Sequence, residues 1–191
     1  MTTVVLGERP AELEALLEKR RRLGLDGHDE VWDGVYVLAP HAHSDHGIVE
    51  EEVKAALGPR AKAGGFIPGS SFNIGSSEDF RVPDGGYHRE RPGTVYVPTA
   101  AVVLEVVSPE DQTFAKFDFY AAHDVDELVV ADPDARTVRC WHLVDGAYVE
   151  QAASVLLDVA MATLVAEVNW PVAGPTSAAA AAARRAGVGG R

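Results

Sequence analysis

Apolar residues recur at helical spacing in two segments of the first third of the chain. The first segment begins at Pro10 and has an apolar stripe at residues 13, 16 and 17 before a basic cluster, so we predict a helix ending near Leu23-Gly24. The second runs from His46 to Leu57, and the Gly58-Pro59 pair that follows predicts its end. Two helices, each with one apolar face, are therefore expected before residue 60.

The rest of the chain has the apolar pattern of a β-sheet. Asp33-Gly34 and Asp145-Gly146 each stand between β-forming residues, which is a strong signal for a hairpin. Further strands are predicted at residues 66–74, 80–83, 100–107 and 128–131. Between the last two, Ser108-Pro109-Glu110-Asp111 predicts the start of a helix that reaches about Ala122. A strand, a helix and a buried strand in succession indicate a parallel crossover within a mixed sheet, and therefore an α/β fold.

Length and composition indicate one domain. With 191 residues, 47% of them hydrophobic, the chain suits a single core, which we place at residues 1–173. From Gly174 the composition changes to Gly, Pro, Ser, Ala and Arg, so a flexible tail is predicted over residues 174–191. The single cysteine, Cys140, excludes an internal disulfide, and together with the lack of a charged-then-apolar leader it indicates a cytoplasmic protein. No apolar run reaches the roughly 18 residues of a membrane-spanning helix.

The charge balance is acidic. The net charge is −12, from 29 acidic and 17 basic residues, which argues against broad attraction to nucleic acid or anionic membrane but not against a local basic groove. The sequence has no Gly-x-Ser-x-Gly motif and no phosphate-binding glycine loop. Serine hydrolase and nucleoside-triphosphatase functions therefore have no local support.

One carboxylate, Glu105, interrupts the aliphatic run 100–107. Burying an isolated carboxylate is costly, so Glu105 is either a functional acid at a strand end or half of an internal ion pair. Pro83-Asp84 ends the preceding predicted strand, and Gly85-Gly86 predicts a sharp turn after it. If those two strands are neighbours, Asp84 and Glu105 lie close together and need a cation or a shared proton. Oxygen ligands without a cysteine favour Mg²⁺ or Mn²⁺ over zinc.

Lys116 is the third candidate in this region. It lies on the helix predicted after the Glu105 strand, where its ammonium could stabilise a phosphate oxygen or orient an attacking water. Tyr120 follows one helical turn later, so the two residues share a face. A single helical lysine is more often a solvated surface charge, and the function of Lys116 therefore depends on its neighbours.

Several sequence pieces occur in an order that resembles a known family. They are Val82-Pro83-Asp84, the segment 104–109, Lys116 with Tyr120, the segment 127–133, Glu30 with Asp33-Gly34, and His46 ahead of a helix. Each piece is weak alone, but their joint order is fairly specific. Over roughly residues 10–165 the chain resembles the Uma-type family of putative restriction endonucleases, within the PD-(D/E)XK nuclease superfamily.

The resemblance implies a restriction-endonuclease-like core, a mixed central β-sheet flanked by helices, with an N-terminal helix and β-hairpin. It also implies that Asp84, Glu105 and the carbonyl of Val106 hold Mg²⁺ or Mn²⁺, with Lys116 completing the catalytic set. Such a metal activates a water and polarises the scissile phosphate, so we expect an endonuclease that hydrolyses DNA. A homodimer is expected because duplex DNA has two-fold symmetry. The family's simplest lysine position, two residues after the acid, is Val107, so that role has to pass to Lys116.

Other residues leave further readings open. Glu30 and His46 are additional candidate acids or bases, although Glu30 could equally be a strand-edge charge. Glu50, Glu51 and Glu52 could likewise place an acid near the site, but a charged helix face is their more typical use. His41, His43 and His46 form a cluster that would bind a transition metal if the loop curls back, although a polar surface is its commoner use.

The sequence also allows two alternative functions. The first is a non-catalytic protein-binding or assembly module on the same fold, in which Glu105 is paired internally with Lys116. The second is a metal protein built on the His41 cluster.

Overall fold

The computed structural model describes residues 11–39, 44–108 and 112–171. His41, His43, the predicted helix start at Pro109-Glu110-Asp111 and the predicted tail lie outside these residues. The first half contains α1 (Ala11–Arg22), β1 (Glu30–Trp32), β2 (Val35–Val37), α2 (Ser44–Ala63), β3 (Ile67–Gly69), β4 (Asn73–Ser76), β5 (Asp79–Arg81) and β6 (Gly85–His88). The second half contains β7 (Tyr96–Val97), β8 (Val102–Val106), a 3₁₀ turn (Thr113–Lys116), α3 (Phe117–Ala122), β9 (Glu127–Asp132), β10 (Thr137–Val144), β11 (Ala147–Gln151), β12 (Ala153–Ser154), β13 (Val159–Ala160) and α4 (Met161–Glu167).

A six-stranded mixed sheet forms the centre of the described fold, in the order β11-β10-β9-β8-β6-β3. Strands β8 and β9 are parallel, with Leu104 opposite Val129, whereas β6 and β8 are antiparallel. The 3₁₀ turn and α3 connect the parallel pair, because parallel strands need a crossover. The predicted crossover and the mixed α/β class are confirmed.

A second sheet, of five strands in the described residues, has the order β2-β1-β5-β4-β7. Its β1–β2 hairpin turns at Asp33 and Gly34, whose φ angles are 50° and 80°. Asp145 and Gly146 have the same pair of angles between β10 and β11. An Asp-Gly pair adopts this left-handed turn at low cost, which explains why both predicted hairpins form.

The core packs on both faces of β8. Val102, Leu104 and Val106 lie in a cluster with α2 and α4, while Val103 lies in a second cluster with α3 and the five-stranded sheet. Successive strand residues point to opposite faces, so Glu105 belongs to the α3 face. The sheet is therefore covered on both sides and leaves Glu105 only 3% exposed.

The predicted end of α2 at Gly58-Pro59 is wrong, because the helix continues to Ala63 with Pro59 inside it. Leu57 and Ala61, one turn apart on either side of the proline, are both buried in the core. Their packing offsets the hydrogen bond that proline cannot donate.

Two other predicted boundaries differ from the structure. The strand predicted at 66–74 is divided into β3 and β4, which belong to different sheets. The helix predicted from Ser108 is described only from the 3₁₀ turn at Thr113, and the Ser108 hydroxyl lies 2.8 Å from Nδ1 of His46.

The predicted turn at Gly85-Gly86 is also wrong, because both glycines lie in β6. A Cβ atom at Gly86 would lie 2.3 Å from the carbonyl oxygen of Val102 on the neighbouring strand. The glycine therefore permits close approach of two strands rather than a reversal of the chain. The neighbours of β8 are β6 and β9, whereas β5, which precedes Asp84, belongs to the other sheet.

None of the helices in the described ranges combines the length and apolar character needed to cross a bilayer.

Candidate active site

Strand register brings Asp84 and Glu105 to one place. Gly85 pairs with Leu104 in the antiparallel β6–β8 ladder. Continuing that register by one residue places Asp84 opposite Glu105, on the same face of the sheet. The structure therefore brings the two predicted acids together, although the strand that positions Asp84 is β6.

Asp84 is held by three kinds of partner. Its Oδ2 atom accepts a hydrogen bond from the Val106 N–H at 2.7 Å, and its Oδ1 atom lies 3.1 Å from Nε2 of His46. Burial would raise the pKa of Asp84, but His46, the Val106 amide and Lys116 outweigh it and lower the pKa below its ordinary 3.8. Asp84 is therefore ionised near neutral pH.

Glu105 faces a buried cation. The Lys116 Nζ atom lies 3.1 and 3.3 Å from the two Glu105 carboxylate oxygens, and the Tyr120 hydroxyl donates a short hydrogen bond to Oε1 of Glu105. Lys116 and Tyr120 lie four residues apart where the 3₁₀ turn continues into α3, so both reach the same carboxylate.

Glu30 is the second carboxylate on Lys116, at 3.0 Å from its Nζ atom. Glu30 also accepts hydrogen bonds from the Val82 N–H at 2.8 Å and from the Trp32 indole at 2.7 Å. The hairpin glutamate thus points inward to the site and joins the five-stranded sheet to Lys116. The strand-edge alternative for Glu30 is excluded by these contacts.

Burial and neighbouring charges together set the protonation of this cluster. Burial, with Asp84 and Glu30 nearby, raises the pKa of Glu105 to about 8, although Lys116 and Tyr120 oppose the shift. Burial also lowers the pKa of Lys116, but Glu105 and Glu30 outweigh it and the net shift is upward. Lys116 is therefore a permanent cation, while Glu105 gains and loses its proton close to physiological pH.

A set of donor atoms suited to a metal lies on the α2 side of Asp84. One atom each from His46, Glu50 and Asp84 all lie within 4.8 Å of one another. Two carboxylates and an imidazole suit Mn²⁺ or another divalent cation of intermediate softness, and the carboxylates alone suit Mg²⁺. Glu105 is not in this set, since its oxygens face Lys116 and Tyr120.

Glu50 joins this donor set, although the sequence favours a different role for it. The run Glu50-Glu51-Glu52 favours a charged helix face and leaves an acid near the site as the alternative. The available signal was its spacing, because His46 and Glu50 are four residues apart and therefore share one helix face. Lys54, another turn along that face, forms a short ion pair with Glu50.

A second group of donor atoms in the described chain is Glu127, Cys140 and His142. Glu127 accepts hydrogen bonds from the Ser154 hydroxyl and from two backbone N–H groups of the following loop, at 2.9 and 3.0 Å. Burial raises the pKa of the Cys140 thiol to about 12, so it stays protonated and is a poor metal ligand. This group anchors a loop.

Comparison with known protein families shows where the chain belongs. A family model described as Uma2, putative restriction endonuclease, matches residues 11–173. The chain belongs to this family. The Uma2 match covers all the residues described above as the site, and it confirms the family resemblance inferred from the sequence. No curated protein matches the chain.

A solved structure supports the same fold. It is that of a putative nuclease belonging to DUF820 from Anabaena variabilis ATCC 29413, with 15% sequence identity and a TM-score of 0.56. The similarity covers 73% of this chain and 90% of the other. At this identity the comparison supports the Uma2 chain's nuclease-like fold, and its chemistry has to be argued from the site.

Proposed function

We propose that this Uma2 protein is a divalent-metal-dependent endonuclease that hydrolyses phosphodiester bonds in DNA. The observation that carries the proposal is the convergence of an ionised Asp84 with His46 and Glu50, next to the buried Glu105–Lys116 pair. Family membership supports a nucleic-acid substrate, and the donor set supports Mg²⁺ or Mn²⁺.

The donor chemistry fits a divalent cation. Asp84 is the central ligand in the proposal, with Glu105 and the Val106 carbonyl on its buried side and His46 and Glu50 on its more exposed side. When bound, the cation would activate a water and neutralise charge on the phosphate. The imidazole of His46 is oriented by the Ser108 hydroxyl on its other nitrogen, which is the usual arrangement for a histidine ligand.

The protein's own residues position the ligands of the site. Lys116 holds the Glu105 carboxylate in place and favours its charged form against the cost of burial. The Tyr120 hydroxyl also donates to Glu105, and we assign to this fixed carboxylate the role of a ligand on the buried side of Asp84. Action as a homodimer, one subunit per strand, completes the proposal.

Cleavage assays test the proposal directly. Linear and supercoiled DNA would be incubated with the purified protein and Mg²⁺ or Mn²⁺, beside Asp84→Ala and Glu105→Gln. We expect cleavage by the wild type and a loss of at least about 10²-fold in both variants. Cleavage that persists in both variants would exclude this site.

Metal binding gives a second, independent test. Titration calorimetry with Mn²⁺ should show one site that is lost in Asp84→Ala and weakened about 10-fold or more in His46→Ala. His28 is exposed and does not belong to the donor set, so His28→Ala serves as the matched control. Equal Mn²⁺ affinity in the two histidine variants would contradict the assignment of His46.

A non-catalytic assembly module remains the second candidate, and one observation favours it. Glu105 is indeed paired internally with Lys116, as that alternative requires. A wild-type protein that binds no Mn²⁺ and cuts no DNA, with Asp84→Ala unchanged in partner binding, would favour the module over the nuclease.

A further inference from the structure

The site contains two lysines with different surroundings. Lys116 is 9% exposed, and its ammonium is shared between the buried carboxylates Glu105 and Glu30. Moving Lys116 away from these carboxylates would leave two buried anions, so its charge is needed to neutralise them. An incoming phosphate needs a different cation.

Lys54 lies at the open side of the same site. Its side chain is 20% exposed, and it pairs with Glu50, whose side chain is 23% exposed. His46, Glu50 and Lys54 follow one another at intervals of four residues on α2 and so form one stripe on the helix surface.

The backbone makes room for the Lys54 side chain beside Asp84. A Cβ atom at Gly85 would lie 2.6 Å from Cε of Lys54 and 3.3 Å from its ammonium. Because Gly85 has no side chain, the lysine stem crosses the strand directly next to the acid. This contact is independent of the ion pair with Glu50, and it holds the ammonium at the mouth of the site rather than free in solvent.

We propose that Lys54 binds a non-bridging oxygen of the substrate phosphate. This inference rests on the proposed nuclease function. In the free protein, Glu50 neutralises Lys54, whereas in the loaded site Glu50 turns to the divalent cation and the phosphate takes its place on the ammonium. Lys54 thus supplies the contact that Val107 cannot make and that Lys116 is too enclosed to make.

Metal affinity tests, without any cleavage, whether Glu50 exchanges Lys54 for the divalent cation. Lys54→Met keeps an unbranched side chain over Gly85 but removes the charge that competes for Glu50. Mn²⁺ should therefore bind this variant several-fold more tightly than the wild type. Lys62 is exposed near the end of the same helix, so Lys62→Met matches the change in net charge and should leave the affinity nearly unchanged. Equal Mn²⁺ affinities in the two variants would overturn the exchange.

DNA binding tests the phosphate contact. Anisotropy of a labelled duplex would be measured with Ca²⁺ over a range of salt concentrations. Loss of one phosphate contact should reduce the slope of log affinity against log salt by about 0.9 in Lys54→Met but not in Lys62→Met. Lys54→Arg should restore the slope, because it keeps the positive charge. Identical slopes for Lys54→Met and Lys62→Met would overturn the proposal.

Single-turnover cleavage separates this inference from the proposed function. If the wild type cuts DNA, Lys54→Met should be slower by about 10²-fold or more and Lys62→Met unaffected. A wild type that cuts while Lys54→Met cuts equally fast overturns only the role of Lys54. A wild type that cuts with no divalent cation present or added overturns the metal-dependent function, while the salt slopes still decide the phosphate contact.

Discussion

Lys116→Met removes the ammonium that lies between two buried carboxylates. In the wild type, Nζ lies 3.0 Å from Glu30 and 3.1 Å from Glu105. Methionine has a similar length and no charge, so the variant isolates the electrostatic contribution. Both carboxylates would remain in an interior that offers them no other cation among the contacts described.

The expected loss follows from the burial of these groups. Breaking a buried ion pair by removing one partner costs about 3–5 kcal/mol, because the remaining charge is uncompensated. Glu30 keeps its Val82 and Trp32 hydrogen bonds, and Glu105 can take up a proton, which limits the penalty at low pH. The loss should therefore grow as the pH rises through about 8, where Glu105 in the wild type becomes charged beside Lys116.

Urea denaturation at pH 6 and pH 9 measures this loss. Arg89→Met is the matched control, because the Arg89–Asp126 pair is about half exposed and such pairs contribute about 0.2–1 kcal/mol. A double-mutant cycle with Glu105→Gln should give a coupling that is large at pH 9 and smaller at pH 6. If Lys116→Met loses no more free energy of unfolding than Arg89→Met at pH 9, the account of the buried cluster is refuted.

Three further predictions concern the same region. The folded-state pKa of Glu105, about 8, lies above its ordinary 4.5, so the wild type should lose stability as the pH rises between these values. Urea denaturation at pH 5 and pH 8.5 measures this loss, and Glu105→Gln should remove it. Equal losses in the wild type and in Glu105→Gln would contradict the raised pKa. Gly86→Ala would place a Cβ 2.3 Å from the Val102 carbonyl oxygen and should cost about 1–3 kcal/mol. Gly47→Ala, inside α2 with no atom within 4 Å of the added Cβ, should instead stabilise the protein by about 0.5–1 kcal/mol. Similar thermal midpoints for the two variants would contradict this. Tyr120→Phe removes the hydroxyl that donates to Glu105 and should lower the free energy of unfolding by about 1.5–3 kcal/mol. It should also raise the pKa of Glu105 further, which NMR titration would detect, and an unaltered pKa would contradict this.

The features that the sequence predicted well are those with local causes. Asp33-Gly34 and Asp145-Gly146 form turns because these residues adopt positive φ at low cost wherever they occur. Glu105 could be singled out because a carboxylate in an aliphatic run needs a partner regardless of the fold. The parallel pairing of its strand followed from the helical segment after it.

The features that it predicted poorly depend on contacts between distant segments. Pro59 is tolerated inside α2 because of the core on either side of it, and Gly86 lies in a strand because Val102 approaches from the neighbouring one. Neither partner is visible in the local sequence. Local propensity is a weak guide wherever packing decides the conformation.

The same distinction between local causes and long-range contacts applies to the candidate site. Asp84 and Lys116 are candidates because of their order in the chain and a family resemblance, and the structure places both beside Glu105. The sequence favours a charged helix face for Glu50, because its place in the donor set depends on Asp84, which lies 34 positions later in the chain. Lys116 links Glu30 of the five-stranded sheet with Glu105 of the six-stranded sheet. Because this contact joins distant segments, the sequence alone leaves Glu30 as either a site residue or a strand-edge charge.

The pairing of Asp84 with Glu105 across the β6–β8 ladder makes the site sensitive to insertions rather than only to substitutions. One residue added between Asp84 and Tyr87 would carry the acid to the opposite face of the sheet, since side chains alternate along a strand. Residues added between His88 and β7 would leave the pairing intact. Family members should therefore vary freely in length in that connection and keep a fixed spacing from the acid through β6, so that a gap in an alignment would diagnose loss of the site as reliably as a missing carboxylate.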